Sequence, residues 1–187
     1  QDQEQKRLGT SWHRPSEAEW IAQEAKRILD EKPELSVGVI SFYSGQIQSI
    51  FKAMEDSQVG LTVGNKIAEN YRIISSGKNI GDERLRIGTV DAFQGKEFDV
   101  VFVSLVRTLP NDFSVEGLDD INKDDALTRA YGFLRVDNRL NVALSRQRSL
   151  LIVTGDKELV AHPATQEAVP ALPAFLKLCG GQHGKIF

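Results

Sequence analysis

A run of nine residues, Phe98-Asp-Val-Val-Phe-Val-Ser-Leu-Val106, is apolar at almost every position. A strand with one face in water shows polar residues at every second place. One rich in Val and Phe without that alternation must be covered on both faces, as in a parallel sheet sandwiched by helices. Shorter buried runs, Val37-Gly38-Val39-Ile40, Leu85 to Val90 and Leu150-Leu151-Ile152-Val153, flank it in sequence. Between them the apolar spacing turns helical. Ala18, Ile21, Ala25, Ile28 and Leu29 predict an amphipathic helix over Ser16 to Glu31, ended before Pro33. Its start, Ser16-Glu17-Ala18-Glu19, resembles a capping box, and its charged face is expected to be solvated. Ile47, Ile50, Phe51 and Met54 predict a second helix, entered through the polar loop Ser41 to Gln46. Strands alternating with helices define a three-layer α/β domain with a mainly parallel sheet.

At 187 residues one domain is expected, with residues 1–15 as an arm anchored by Trp12 and 180–187 as a tail. Residues 56–83, interrupted by glycines at 60, 64, 77 and 81, read as an irregular excursion or hairpin with Tyr71 to Ile74 as a candidate strand. Residues 109–131 carry Asp119, Asp120, Asp124 and Asp125 among few apolar residues and read as a mobile acidic loop. A short helix is expected around Leu172 to Leu178. The net charge of −3 provides no global basic field, so any nucleic-acid contact must be local. The single cysteine, Cys179, excludes an internal disulfide and suits a reducing, intracellular and cytoplasmic setting. No apolar run is long enough for a membrane span. His13, His162 and His183 are isolated, so no metal site is expected.

Two stretches carry candidate chemistry. Arg135 to Arg148 reads as a helix capped by Asp137 or Asn138, with Leu140, Ala143 and Leu144 on its apolar face. Arg139 and Arg146, two turns apart, then form a stripe of fixed forked donors suited to a polyphosphate. A surface helix whose arginines merely pair with carboxylates is the plainer alternative. Asp91-Ala-Phe-Gln-Gly-Lys-Glu97 begins at a strand end. Gly95 permits a positive φ or a close ligand, Gln94 can donate and accept at once, and Glu97 can accept from sugar hydroxyls. A tight turn in which Glu97 pairs with Lys96 or Arg146 is the plainer reading here. Since ligands of open α/β sheets sit at the carboxyl ends of strands, both stretches and the Ser41–Gln46 loop are expected to converge on that rim, Arg146 included. No Gly-x-x-x-x-Gly-Lys-[Ser/Thr] cradle occurs. The chain has arginines for a γ-phosphate without its own phosphate loop, as in half of a shared site.

Gly38 to Gln46, Val90-Asp-Ala-Phe-Gln-Gly-Lys-Glu-Phe-Asp99, Gly132-Phe133-Leu134 and Arg139-Leu-Asn-Val-Ala-Leu-Ser-Arg-Gln-Arg148 resemble helicase motifs IV, V and VI, in that order. From about Val37 to Asp156 the chain resembles the second RecA-like motor domain of superfamily 1B helicases, the group of the nonsense-mediated-decay helicase and senataxin. The resemblance implies a P-loop NTPase-like fold without its own Walker A motif. It implies that Arg146 is the arginine finger reaching ATP and Mg²⁺ held mainly by the first motor domain of the parent chain. It assigns Gly95, Glu97, Arg139 and Arg148 to the nucleotide. Ser41, Tyr43, Gln46, Thr89, Asp91 and Gln94 fall to single-stranded DNA or RNA, translocated 5′→3′. The chain alone is then expected to be inert as an ATPase. The competing readings are a stand-alone nucleic-acid-binding or protein-interaction module of the same fold, and a piece of a nuclease–helicase fusion.

Overall fold

The structure, a computed structural model, describes residues 5–56 and 58–187, with Asp137 described by its backbone alone. Strand β1 (Lys6–Leu8) turns back on β2 (Ser11–His13) as an antiparallel hairpin. Helix α1 (Pro15–Glu31), strand β3 (Val37–Ser41) and helix α2 (Ser44–Glu55) follow, then a two-stranded hairpin of β4 (Thr62–Val63) and β5 (Lys66–Ile67). Strand β6 (Leu85–Thr89) leads into the 3-10 turn Val90–Phe93 and strand β7 (Phe98–Ser104). Helix α3 (Asp120–Tyr131), the 3-10 turn Gly132–Arg135, helix α4 (Asp137–Ala143) and strand β8 (Gln147–Thr154) complete the core. Three short helices close the chain: α5 (Lys157–Ala161), α6 (Pro163–Ala168) and α7 (Ala171–Cys179).

The four main strands lie in the order β6-β3-β7-β8, all parallel. The period of two along β7 divides the core. Val100 and Phe102 join Ile21, Ala25, Val39, Ile50 and Met54 under α1 and α2. Val101, Val103 and Leu105 join Phe93, Tyr131, Leu140, Ala143, Leu159 and Leu172 on the opposite face. The three-layer α/β reading is therefore what the chain folds into. The turn after β6 lies directly on the sheet because Gly38 leaves room: a Cβ there would stand 2.8 Å from the Phe93 ring. β8 is one of the two outer strands of these four, with β6 the other, and Leu150 on it is 47% exposed.

Several local expectations are corrected. α1 begins at Pro15, with Arg14 in the N-cap position and no side-chain cap bond, so the capping box does not form. Proline at the first position supplies a preset φ instead. Residues 6–13 of the arm are a hairpin packed on α2. Residues 109–131 are irregular only to Asp119, which caps α3 by accepting from the Asn122 amide at 2.9 Å. Leu127, Ala130 and Tyr131 anchor that helix in the core, so the acidic loop is half helix. Tyr71 to Ile74 forms no strand; Ile73 makes a lone bridge to Glu83. α4 starts at Asp137 behind an N-cap Val136 that makes no side-chain cap bond, and it ends at Ala143. Arg146 lies beyond the helix, and β8 begins at Gln147 rather than at Leu150.

Candidate functional site

The sequence-singled residues separate into two groups at opposite edges of the sheet. At the strand ends, the loop after β3 turns inward. Ser41, Tyr43 and Gln46 are buried. Ser41 donates to the Ser104 carbonyl at 3.2 Å, and the Gln46 amide donates to Ser104 Oγ at 2.9 Å while its oxygen accepts from Arg14 N at 2.8 Å. Their bonds bind the ends of β3 and β7 together, so these side chains support the rim from within. Thr89, half-buried, ends β6 opposite Ser41. Asp91 and Gln94 project into solvent from the 3-10 turn. Arg139 crosses to Asp91 with 2.8 Å between Nη2 and Oδ2, and its guanidinium stands 5.4 Å from the ring centre of Phe133, itself 48% exposed. An ion pair this open contributes at most about 1 kcal/mol, so Arg139 is held near Asp91 but free to exchange it for a better anion.

Arg146 is not on that rim. It precedes β8, and its carbonyl accepts from Phe98 N at 3.0 Å, at the starting edge of β7 and β8. The parallel direction of β8 forces this: α4 must run back across the sheet before the last strand can start. The guanidinium is half-buried; its Nε donates to the Val142 carbonyl at 3.1 Å and its Nη2 to Ser145 Oγ at 2.9 Å. Glu97 and Arg148 share this edge. Arg148 Nε lies 3.8 Å from Glu97 and its Nη1 3.8 Å from Asp99. Asp99 is pinned in turn by the Ser36 amide at 2.9 Å and hydroxyl at 2.7 Å. Glu97 thus faces Arg148, not Lys96 or Arg146. Gly95, exposed between the two groups, has φ 71°, the left-handed conformation foreseen for it.

Glu17 and Arg107, which the sequence did not single out as site residues, and Gly132 of the motif VI segment organise the rim. Glu17 is buried where β7 and β8 end. Its Oε2 accepts from Ser104 Oγ at 2.5 Å, Thr154 Oγ1 at 3.1 Å and the Val106 amide at 3.3 Å, and its Oε1 from Arg14 at 3.2 Å. Burial pushes its pKa above the ordinary 4.5, opposed by Ser104 and the Arg14 charge. Arg107 is 4% exposed; it donates to the Ala130 carbonyl at 2.8 Å and to the Arg129 carbonyl, the closing turn of α3. Gly132 then turns the chain with φ 52° and ψ −127°, and the Tyr43 hydroxyl sits 2.8 Å from where a Cβ would be. Gly132→Ala is expected to cost about 1–3 kcal/mol through strain and collision. Tyr43→Phe in the same background should regain part of that loss in urea unfolding; no recovery would place the strain elsewhere.

Among the described residues no three His, Cys, Asp or Glu side chains converge as metal ligands, and no helix is long and apolar enough to cross a membrane. A groove of about 720 Å³ between α1 and α2, bordered by His13, Lys26 and Lys52, lies away from both edges.

The sequence profile described as AAA domain (AAA_12) matches residues 1–158. The chain belongs to this AAA domain family. Its relatives are named helicases. DNA polymerase alpha-associated DNA helicase A of Saccharomyces cerevisiae is 34% identical over 68% of this chain and 13% of its own length. RNA helicase Mov10l1 of Homo sapiens is 30% identical over 75% of the chain and 11% of its own length. Helicase sen1 of Schizosaccharomyces pombe is 29% identical over 76% and 6%. The chain therefore spans a small fraction of each relative's length. It is a helicase-family domain with a RecA-like α/β layout.

Proposed function

We propose that this AAA domain is the second RecA-like motor domain of an ATP-driven superfamily 1 helicase, with ATP and single-stranded nucleic acid engaging opposite edges of its sheet. The observation that carries the reading is the fixed, partly open setting of the Arg146 guanidinium, although it lies at the edge where β7 and β8 begin and not on the rim expected for it. Its backbone is fixed to β7, α4 is anchored by buried Leu140 and Ala143, and the guanidinium rests on a carbonyl and a hydroxyl at the helix end. Exchanging those neutral acceptors for the oxygens of a γ-phosphate is favourable, because charge-assisted bonds are about twice as strong. Phosphoryl transfer needs such a guanidinium where negative charge develops.

At the same edge Glu97 would accept from the ribose hydroxyls, with Arg148 holding its carboxylate in place and Gly95 giving the nucleotide close access. Magnesium and the β- and γ-phosphates would be held mainly by the first motor domain, since the sequence contains no phosphate loop and no three His, Cys, Asp or Glu side chains among the described residues converge as metal ligands. At the other edge Thr89 and Asp91 present polar groups to a strand, with Gln94 exposed farther along the turn; Arg139, assigned to the nucleotide by the resemblance, is paired with Asp91 and would meet the strand instead. The loop Ser41–Gln46 would set the height of that rim rather than touch the strand through its buried side chains. Domain closure on ATP then connects the two edges through α4 and the turn after β6.

Purified as 187 residues, the chain is expected to show no Arg146-dependent ATP hydrolysis. Turnover that disappears in Arg146→Ala would overturn the shared-pocket reading and favour a self-sufficient enzyme.

A further inference from the structure

We propose that the β1–β2 hairpin carries a contact for the phosphodiester backbone of a single strand, built from Arg7, Trp12 and the buried Arg107. The proposal rests on the nucleic-acid reading of the rim and moves its outer surface from the β3–α2 loop to the hairpin. Ser11 Oγ accepts from the Gly45 amide at 3.0 Å, the Gln46 oxygen takes the Arg14 amide, and His13 Nδ1 meets Ser49 Oγ at 2.7 Å. Residues 11–14 therefore lie over the start of α2, and a ligand arriving there meets the hairpin first.

The hairpin meets it with stacked cations. The Arg7 guanidinium stands 3.9 Å from the centre of the Trp12 ring, and the Arg107 guanidinium 4.9 Å from the same centre. Arg7 is exposed and hydrogen-bonds the Thr10 carbonyl at 3.0 Å; Arg107 is met by the carbonyls that end α3. Among the described residues neither pairs with a carboxylate, so two like charges share one indole in a chain of net charge −3. An arriving anion relieves that repulsion.

The backbone beneath is strained in the same place. Val106, fully buried, has φ 69°, and the Arg107 amide donates back to the Leu105 carbonyl at 2.8 Å. A β-branched residue at the centre of such a three-residue turn is held there only by its surroundings, and strain of this kind gathers at functional sites. The turn is what swings Arg107 beneath Trp12. Guanidinium with an aromatic ring is the combination that grips single strands without sequence preference, the charge taking phosphate and the stack taking a base.

The test is anisotropy of labelled oligo-U and oligo-dT with the 187-residue chain across a salt series. Arg7→Gln, a surface change whose melting should match the wild type, is expected to weaken binding about three- to tenfold and to lower the salt slope by about 1. A larger loss for oligo-U than for oligo-dT would identify RNA as the strand at this site, the reverse DNA, and either supports the contact. If Arg139→Ala weakens binding while Arg7→Gln does not, the hairpin assignment is overturned and the rim reading stands. If the wild-type chain binds neither oligonucleotide, the rim reading fails and the proposal with it. If poly-glutamate displaces the strand as well as unlabelled oligo-U does, the site is a general anion site and the proposal is overturned.

Discussion

Alanine at position 146 of the full-length parent protein is expected to reduce ATP turnover by about 10³–10⁵ while leaving ATP affinity within a few-fold of the wild type. The two quantities separate because the guanidinium acts on charge that develops in the transition state, whereas ground-state binding belongs to the phosphate loop of the other domain. The packing argues against an indirect effect. Arg146 is half-buried, its bonds run to its own helix end, and the core beneath is made by Leu140 and Ala143. Single-turnover hydrolysis with a parallel nucleotide-binding titration makes the comparison. Equal loss of turnover and binding would make the arginine a structural residue and sink the proposal.

The second large effect is on stability. Glu17→Ala should lower the unfolding free energy by about 3–5 kcal/mol, since it strands the buried Arg14 charge together with the Ser104, Thr154 and Val106 donors. That is a large share of a typical net stability of about 5–15 kcal/mol. Urea unfolding decides it; a loss below about 1 kcal/mol would mean the network closes without the carboxylate. Glu17→Gln keeps the shape but must turn its NH₂ either to Arg14 or to the three donors, so about 1–3 kcal/mol is expected. The pH dependence has a definite sign. Burial holds the folded pKa above the unfolded one, so the titration-linked stability is fully present below the unfolded value and is lost as pH rises through the folded value. The advantage of wild type over Glu17→Gln should therefore be greatest in acid, shrink as pH rises from the unfolded toward the folded pKa, and level off once Glu17 is ionised in the fold.

The sandwich was legible in the chain because β7 carries its evidence locally: no alternation means cover on both faces. Glu17 was legible too, in a way that motif reading passed over. Ile21, Ala25 and Ile28 continue backwards by one turn onto position 17, which puts that carboxylate on the buried stripe rather than in a cap. α3 was harder, since its buried positions, Leu127, Ala130 and Tyr131, all fall at its end and leave the acidic first half without a periodic signal. The end of α4 was decided by pairing between distant strands, Phe98 with Gln147, which no local pattern contains. The same pairing put Arg146 on the edge opposite the expected rim. The approach of both Arg7 and Arg107 to the Trp12 ring joins the first hairpin to the loop after β7, so only the fold brings it into view.

β8 has a practical consequence for anyone handling this chain. An eight-residue strand on the flank of a sheet, with Leu150 nearly half in water, offers its outer row of amides and carbonyls to whatever extended segment comes near. At high concentration the readiest such segment is the same flank of a neighbouring molecule, and edge-to-edge growth into aggregates is the hazard to guard against during purification.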